Sequence, residues 1–133
     1  MTSPIQNALN DLNELFLSYC AEVEQNVHLA LQSFMKTEPK NVQVVIEKDQ
    51  EIDQLEIAIE EECLRIMAIY HPLAKDLRLI VGILKMNNDL ERIGDLAVNI
   101  VKKVTIFSDR HTSISEEGQS FFLPEMIEMV LNM

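Results

Sequence analysis

The chain has 133 residues, the size of one domain, and 47% of them are hydrophobic although only 5% are aromatic and none is tryptophan. This composition predicts an aliphatic all-α protein, because strands would require more clusters of β-branched and aromatic residues. The formal net charge of −11 argues against nucleic-acid binding, which depends on neutralising phosphates, and against direct contact with an anionic membrane surface.

The sequence shows no export or membrane segment. The opening residues lack a basic stretch followed by a long apolar one, and the longest apolar run, residues 79–84, is far below the ~20 residues that a membrane span needs. Cys20 and Cys63 stand alone, without a cysteine or histidine at metal-ligand spacing, so we expect reduced core thiols. We therefore expect a soluble cytoplasmic protein with no direct membrane insertion.

The first predicted helix covers about residues 4–36. Ser3 suits the N-cap position and Pro4 the first helical position. At ~1.5 Å per residue the helix would be about 48 Å long, which predicts an elongated bundle. A break with Pro39 ends it. Its predicted apolar face consists of Ile5, Leu9, Leu12, Phe16, Cys20, Val23, Val27, Ala30 and Phe34.

The second predicted helix covers residues 41–70 and ends before His71 and Pro72. Acidic side chains lie close to its apolar stripe. Asp49 and Glu56 fall within about 60° of the stripe centre, and Asp53 lies about 100° away on its flank. The predicted stripe consists of Val45, Ile52, Leu55, Ile59, Cys63, Ile66 and Tyr70.

The third predicted helix covers about residues 73–107 and contains the stretch NNDLERIGDLAVN. With Leu84 at the centre of its apolar stripe, Glu91 and Asp95 both fall within about 20° of that centre. Two like charges at this spacing weaken a helix by roughly 0.2–0.5 kcal/mol. Gly94, in mid-helix, costs roughly 0.8–1.0 kcal/mol relative to alanine. It indicates the close approach of a backbone or ligand, or a plain packing notch.

Short connections predict an antiparallel up-down-up bundle, in which residues equally far from a turn lie at the same height. The turn between the second and third helices is centred near Pro72. Asp53 is then level with Glu91, and Asp49 with Asp95, so four carboxylates meet at neighbouring heights. His28 of the first helix would lie near the height of Asp49, although its angle favours a surface position.

Buried lone carboxylates cost several kcal/mol each, so these four acids need compensation. Hard cations such as magnesium, calcium, manganese or iron could bridge them. Basic side chains could pair with them instead, Lys48 and Arg92 being nearest in sequence. In a third alternative, the seam between two helices is open to water and the acids are simply solvated.

We predict a polar loop over residues 108–118 and an amphipathic C-terminal helix over residues 119–133. So short a helix does not stabilise itself. It must dock on the bundle at residues 1–107, pair with another copy as a dimerisation element, or open a second repeat.

Four motifs follow one another along the chain. They are an acidic pair, Asp49 with Asp53, then Pro72, then DLR at residues 76–78, then ERIGD at residues 91–95. In this order and at these separations, over roughly residues 5–107, they resemble the PhoU family of bacterial phosphate-signalling regulators, of whose usual two three-helix repeats this chain has about one.

The resemblance implies that Asp49, Asp53, Glu91 and Asp95 are metal ligands in paired E/DxxxD motifs. The metal would be a divalent or ferric ion, such as iron, magnesium, manganese or zinc. The resemblance also implies a non-enzymatic, negative regulator of phosphate uptake and starvation signalling. Its partners would be the ATPase subunit of a phosphate ABC transporter and a sensor histidine kinase. We also expect a homodimer, in which two single repeats restore the usual pair.

Two other functional classes use the same acids. The chain could be a carboxylate-bridged metalloenzyme or an iron-handling bundle, or a plain dimerisation module with a solvated acidic face. The sequence has no glycine-rich phosphate loop, no HExxH and no Glu-x-x-His pair. Carboxylates without such partners favour binding over catalysis.

Overall fold

The computed structural model describes residues 3–36 and 41–109, which form three long helices. These are α1 (Pro4–Lys36), α2 (Val42–Tyr70) and α3 (Lys75–Asp109), each packed against the other two. The described part of the chain contains no strand. The predicted all-α, elongated antiparallel three-helix bundle is confirmed. The predicted helix at residues 119–133 and most of the loop before it lie outside the described residues.

The helix ends follow local chain chemistry. The backbone N–H of Gln6 donates to Ser3 Oγ at 3.2 Å, so Ser3 caps α1 as predicted. α2 stops because His71 adopts a left-handed conformation with φ of 46° and proline follows it. Ala74 is also left-handed, with φ of 50°. The turn therefore uses the residues with which α3 was expected to begin.

The apolar core has two clusters along the bundle axis. The larger one lies towards the turn between α2 and α3 and consists of Ala8, Leu9, Leu12, Phe16, Tyr19, Val23, Ile52, Ile59, Cys63, Ile66, Ile80 and Ile83. The smaller one consists of Ala30, Val45, Ala97 and Val101. The predicted α2 stripe is confirmed in its buried members, and both cysteines are free thiols.

The predicted centre of the α3 stripe is wrong. Leu84 and Glu91 are only half-buried and Asp95 is exposed. The buried face lies about 100° to one side and consists of Ile80, Ile83, Asn87, Gly94, Ala97, Val101 and Val104. The reason is that α3 buries an amide and a glycine at the positions facing α1 and α2, which an apolar-residue count does not recognise.

Three buried polar contacts fix the heights of the helices. Asn26 Nδ2 of α1 donates to the carbonyl of Val45 in α2 at 3.2 Å. Asn87 Nδ2 of α3 donates to the carbonyl of Glu56 in α2 at 3.1 Å. The Tyr19 hydroxyl of α1 donates to the carbonyl of Asn87 at 3.5 Å. The predicted α1 face omitted Tyr19 and Asn26, which lie at its buried centre.

Within residues 3–36 and 41–109, none of the helices combines the length and the apolar content that a membrane crossing requires.

Candidate functional site

Acidic side chains of α2 and α3 lie along one seam between the two helices. The acidic seam, as we name it, consists of Asp49, Asp53 and Glu56 from α2 and of Glu91 and Asp95 from α3. Charges of the α3 acids act on all three α2 acids, since Asp95 raises the pKa of Asp53 and both Glu91 and Asp95 raise those of Asp49 and Glu56. The five carboxyl groups therefore form one electrostatic unit.

Two contacts agree, to within one residue, with the height matching predicted from the turn. Asn87 donates to the carbonyl of Glu56, and a Cβ placed on Gly94 would lie 3.4 Å from Asp49 Oδ1. Both pairs are equally far along the chain from the junction between His71 and Pro72. Since the rise per residue is constant in a helix, Asp53 and Glu91 lie at heights between these two contacts.

Asp49 is the most perturbed carboxyl group of the seam. Burial raises its pKa to about 6, and the charges of Asp53, Asp95 and Glu91 act in the same direction. Its Oδ1 atom is fully buried and has no hydrogen-bond partner among the residues that the structure describes. Gly94 is buried beside this oxygen, but a Cβ there would lie 3.4 Å from Asp49 Oδ1, an ordinary van der Waals distance, so the mid-helix glycine is a packing notch that an alanine could also fill.

Asp53 and Glu56 are perturbed in the same direction. Burial is the larger cause of the raised pKa of Asp53, followed by the charge of Asp95. Burial is again the main cause for Glu56, followed by Glu91 and Asp53. Glu56 was outside the predicted ligand set although its angle placed it near the α2 stripe. Counting residues from the turn could have added Glu56 to the predicted acids, because this count places it level with the buried Asn87.

Glu91 and Asp95 do not point into the middle of the core. They lie on the flank of α3 that faces α2, where Glu91 is half-buried and Asp95 exposed. Being on this flank brings them to the acids of α2. A position at the stripe centre would have aimed them at α1 as well.

The predicted basic partners do not compensate the seam. Lys48 binds Glu22 at 3.0 Å and donates to Gln25 at 3.3 Å, both on α1. Arg92 is exposed and forms no ion pair within the described residues. The basic charge that reaches Asp49 belongs to Lys102, which lowers its pKa but is outweighed by burial and the neighbouring acids. Lys102 lies two helical turns after Asp95 on the same side of α3, and this spacing could have identified it from the sequence as a base near the seam.

His28 lies away from the seam. Its Nε2 is 3.9 Å from Glu24 Oε1, and its side chain is 41% exposed. It lines a shallow cleft between α1 and Lys48 of α2. The surface position favoured by its angle is what the structure shows.

The seam offers a hard cation the right donor atoms, although they do not converge. Carboxylate oxygens suit magnesium, manganese and iron, and the unpartnered Asp49 Oδ1 is a buried acceptor beside the bare backbone of Gly94. Within the described residues, however, no three histidine, cysteine or acidic side chains lie close enough together to hold one ion. A cation would have to draw these carboxylates together by rotation of their side chains.

Comparison with known proteins gives one consistent family. The family model of the PhoU domain matches residues 8–104. The phosphate-specific transport system accessory protein PhoU homolog of Aquifex aeolicus is 36% identical over 124 residues, which cover 93% of this chain and 56% of that protein. PhoU homolog 1 of Thermotoga maritima is 41% identical over 87 residues, covering 65% of this chain and 38% of that protein.

A solved structure agrees. The crystal structure of PhoU from Pseudomonas aeruginosa has a TM-score of 0.86 and 32% sequence identity to this chain, and the match covers 96% of this chain and 59% of that one. The chain thus spans about half the length of the relatives it matches.

Asp49→Asn should stabilise the chain at pH 7 and have little effect at pH 4, with EDTA present. The pKa of Asp49 is raised from 3.8 to about 6, so between these values the folded state holds more protons than the unfolded state and stability falls as pH rises. The penalty is complete above pH 6, at about 1–2 kcal/mol after allowance for solvent screening. Urea denaturation measures it.

The control for this titration is Asp89→Asn, which removes an exposed acid of α3 and should change stability by less than about 0.5 kcal/mol at every pH. A loss of stability in Asp49→Asn at pH 7 would contradict the account, because it would mean that the carboxylate has an attractive partner.

Two glycines of α3 provide a matched pair of substitutions. A Cβ at Gly82 meets nothing within 4 Å, so Gly82→Ala should gain roughly 0.8–1.0 kcal/mol of stability. Gly94→Ala should gain less, because its methyl group would fill the space 3.4 Å from Asp49 Oδ1, a buried carboxylate oxygen for which an apolar neighbour is unfavourable. Urea denaturation measures both gains, and equal gains would contradict this effect of the Asp49 oxygen at position 94.

Proposed function

The chain belongs to the PhoU family, and on that premise we propose that it is a non-enzymatic accessory component of a phosphate-specific transport system. It restrains phosphate uptake and phosphate-starvation signalling in the cytoplasm. Its partners are the ATPase subunit of a phosphate ABC transporter and a sensor histidine kinase. The names of the relatives from Aquifex aeolicus and Thermotoga maritima support the transport context.

The acidic seam supports a metal-binding role. We propose that Asp49, Asp53, Glu91 and Asp95 hold hard cations there, with iron, magnesium, manganese and zinc as the candidates. The raised pKa of Asp49 supports this, because burial and neighbouring acids penalise its charge and a cation would reverse that penalty. When bound, the metal supplies positive charge to a seam in which acids outnumber bases.

The residues of the chain supply the rest of the mechanism. The buried amides Asn26 and Asn87 fix the heights of α1 and α3 against α2, so α2 and α3 present their carboxylates at matching levels. Gly94 leaves space beside Asp49. Metal loading would then change the charge and rigidity of the α2–α3 seam, and this is how we propose that the chain reports on its surroundings to its partners.

We further propose that the chain pairs with a second copy through α3. Four half-exposed apolar side chains lie along one stripe of that helix, namely Leu79 at 41%, Met86 at 46%, Ile93 at 42% and Leu96 at 60% exposure. Gly82 lies in the same stripe with open space beyond it. Because the chain spans 56% of the Aquifex aeolicus relative, a homodimer would approximate the length of that protein.

The transport role can be tested in a bacterium that lacks its own PhoU and carries a phosphate-responsive alkaline phosphatase. In phosphate-rich medium the chain should lower phosphatase activity several-fold. The variant Asp49→Asn, Asp53→Asn, Glu91→Gln and Asp95→Asn should lose this effect. The control Glu47→Gln with Glu51→Gln removes an exposed acid pair at the same spacing on α2 and should act as the unchanged chain does.

Two outcomes would contradict the proposal. One is an unchanged phosphatase activity when the chain accumulates to the level of a full-length relative that does restore repression. The other is full repression by the four-acid variant, which would separate the seam from the regulatory role. Catalytic oxidation of iron by the purified, iron-loaded chain would instead support the metalloenzyme alternative.

A further inference from the structure

The bundle contains two layers of polar side chains that reach its interior, two helical turns apart in every helix. The first layer contains Tyr19 of α1, Glu56 of α2 and Asn87 of α3, joined by the hydrogen bonds from Tyr19 and Asn87. Two turns further along α1 and α3, and two turns earlier in α2, lie Asn26, Asp49 and Gly94. The contact of Asp49 with Gly94 and the bond from Asn26 to the turn before Asp49 join this second layer.

Asn26 is a buried amide whose nitrogen donates a hydrogen bond, whereas its oxygen accepts none within the described residues. Its side chain is only 1% exposed. Nδ2 donates to the carbonyl of Val45, which lies one helical turn before Asp49, so the amide group lies against the part of α2 that carries the seam's most perturbed acid. Its Oδ1 is fully buried and accepts no hydrogen bond from any residue in the described part of the chain.

The second layer thus holds two unsatisfied acceptors, Asn26 Oδ1 and Asp49 Oδ1, whereas the first layer holds only Asn87 Oδ1. These three are the buried side-chain oxygens and nitrogens without a hydrogen-bond partner within residues 3–36 and 41–109. Buried acceptors are nearly always satisfied in folded proteins. Two acceptors at one level, each unpaired within the described residues, suit an electropositive occupant.

We propose that Asn26 is a further member of the cation site, whose Oδ1 takes up the bound ion, directly or through one of its water ligands, beside Asp49. This inference rests on the proposed cation binding of the seam. An amide oxygen is a hard neutral ligand, used with carboxylates for magnesium, manganese and calcium. It adds a ligand without adding to the repulsion among the acids.

The role of Asn26 extends the site from two helices to three. The carboxylates of the seam belong to α2 and α3, and Asn26 is the polar group that α1 brings to the same level. Cation binding would therefore hold α1 against the seam as well as joining α2 to α3. Loss of the cation would loosen all three helices at this layer.

Manganese(II) titration, followed by the electron paramagnetic resonance signal of the free ion, tests the proposal. Asn26→Leu should weaken Mn²⁺ binding about ten-fold or more. Asn13→Leu is the control, because it removes an exposed amide of the same helix, and it should leave the affinity within about two-fold. Asn26→Asp, which keeps an oxygen ligand and adds charge, should bind Mn²⁺ at least as tightly as the unchanged chain.

The outcomes separate the two proposals. If the unchanged chain does not bind Mn²⁺, the proposed cation binding fails and this inference falls with it. If Asp49→Asn weakens binding while Asn26→Leu does not, the seam is a cation site and only the role of Asn26 is wrong. If Asn26→Leu does not fold, Asn26→Asp decides, and a large loss of affinity in that variant would overturn the inference.

Discussion

The hydrogen bonds from two buried amides to the backbone of α2 are the constraint on which the rest of the structure depends. Aliphatic contacts are non-directional, so a core of leucine, isoleucine and valine tolerates sliding of one helix along another. A buried asparagine does not, because a slip leaves its amide unpaired. Asn26 ties α1 to Val45 and Asn87 ties α3 to Glu56. The contact of Asn87 sets the heights of the acids in the seam, and the contact of Asn26 sets the height of α1 against them.

The seam itself opposes folding. Burial and mutual repulsion raise the pKa values of Asp49, Asp53 and Glu56, and within the described residues no ion pair reaches Asp49, Asp53, Glu91 or Asp95. The two apolar clusters on either side of the second polar layer supply the stability that this arrangement costs. Acids kept at such a position, at the expense of stability, are typical of groups retained for binding.

Much of the fold followed from chain breaks and periodicity. Pro39 and the junction between His71 and Pro72 delimited α1 and α2, and the turn at that junction placed Asp53 level with Glu91 from counting alone. The same counting failed for α3, because residues 79–84 are apolar on every side and offer no unique stripe. The buried face of α3 contains Asn87 and Gly94. A search for apolar residues does not count either of them as a core position.

The candidate site was predictable in its heights and not in its side-chain geometry. Backbone rise sets which acids are level, and it is the same for every helix. The orphan oxygens of Asp49 and Asn26 depend on rotamers and on packing between helices, which no single helix encodes. The raised pKa of Glu56 and the lowering effect of Lys102 on the pKa of Asp49 likewise depend on distances across the seam.

If the seam between α2 and α3 is a cation site, crystals of the chain grown with Mn²⁺ should give an anomalous diffraction peak in that seam. The peak should lie at the level of Asp49 and Gly94, with carboxylate oxygens of both helices bound to it. Well-ordered crystals with no peak in the seam, or with manganese bound only elsewhere on the surface, would contradict cation binding there.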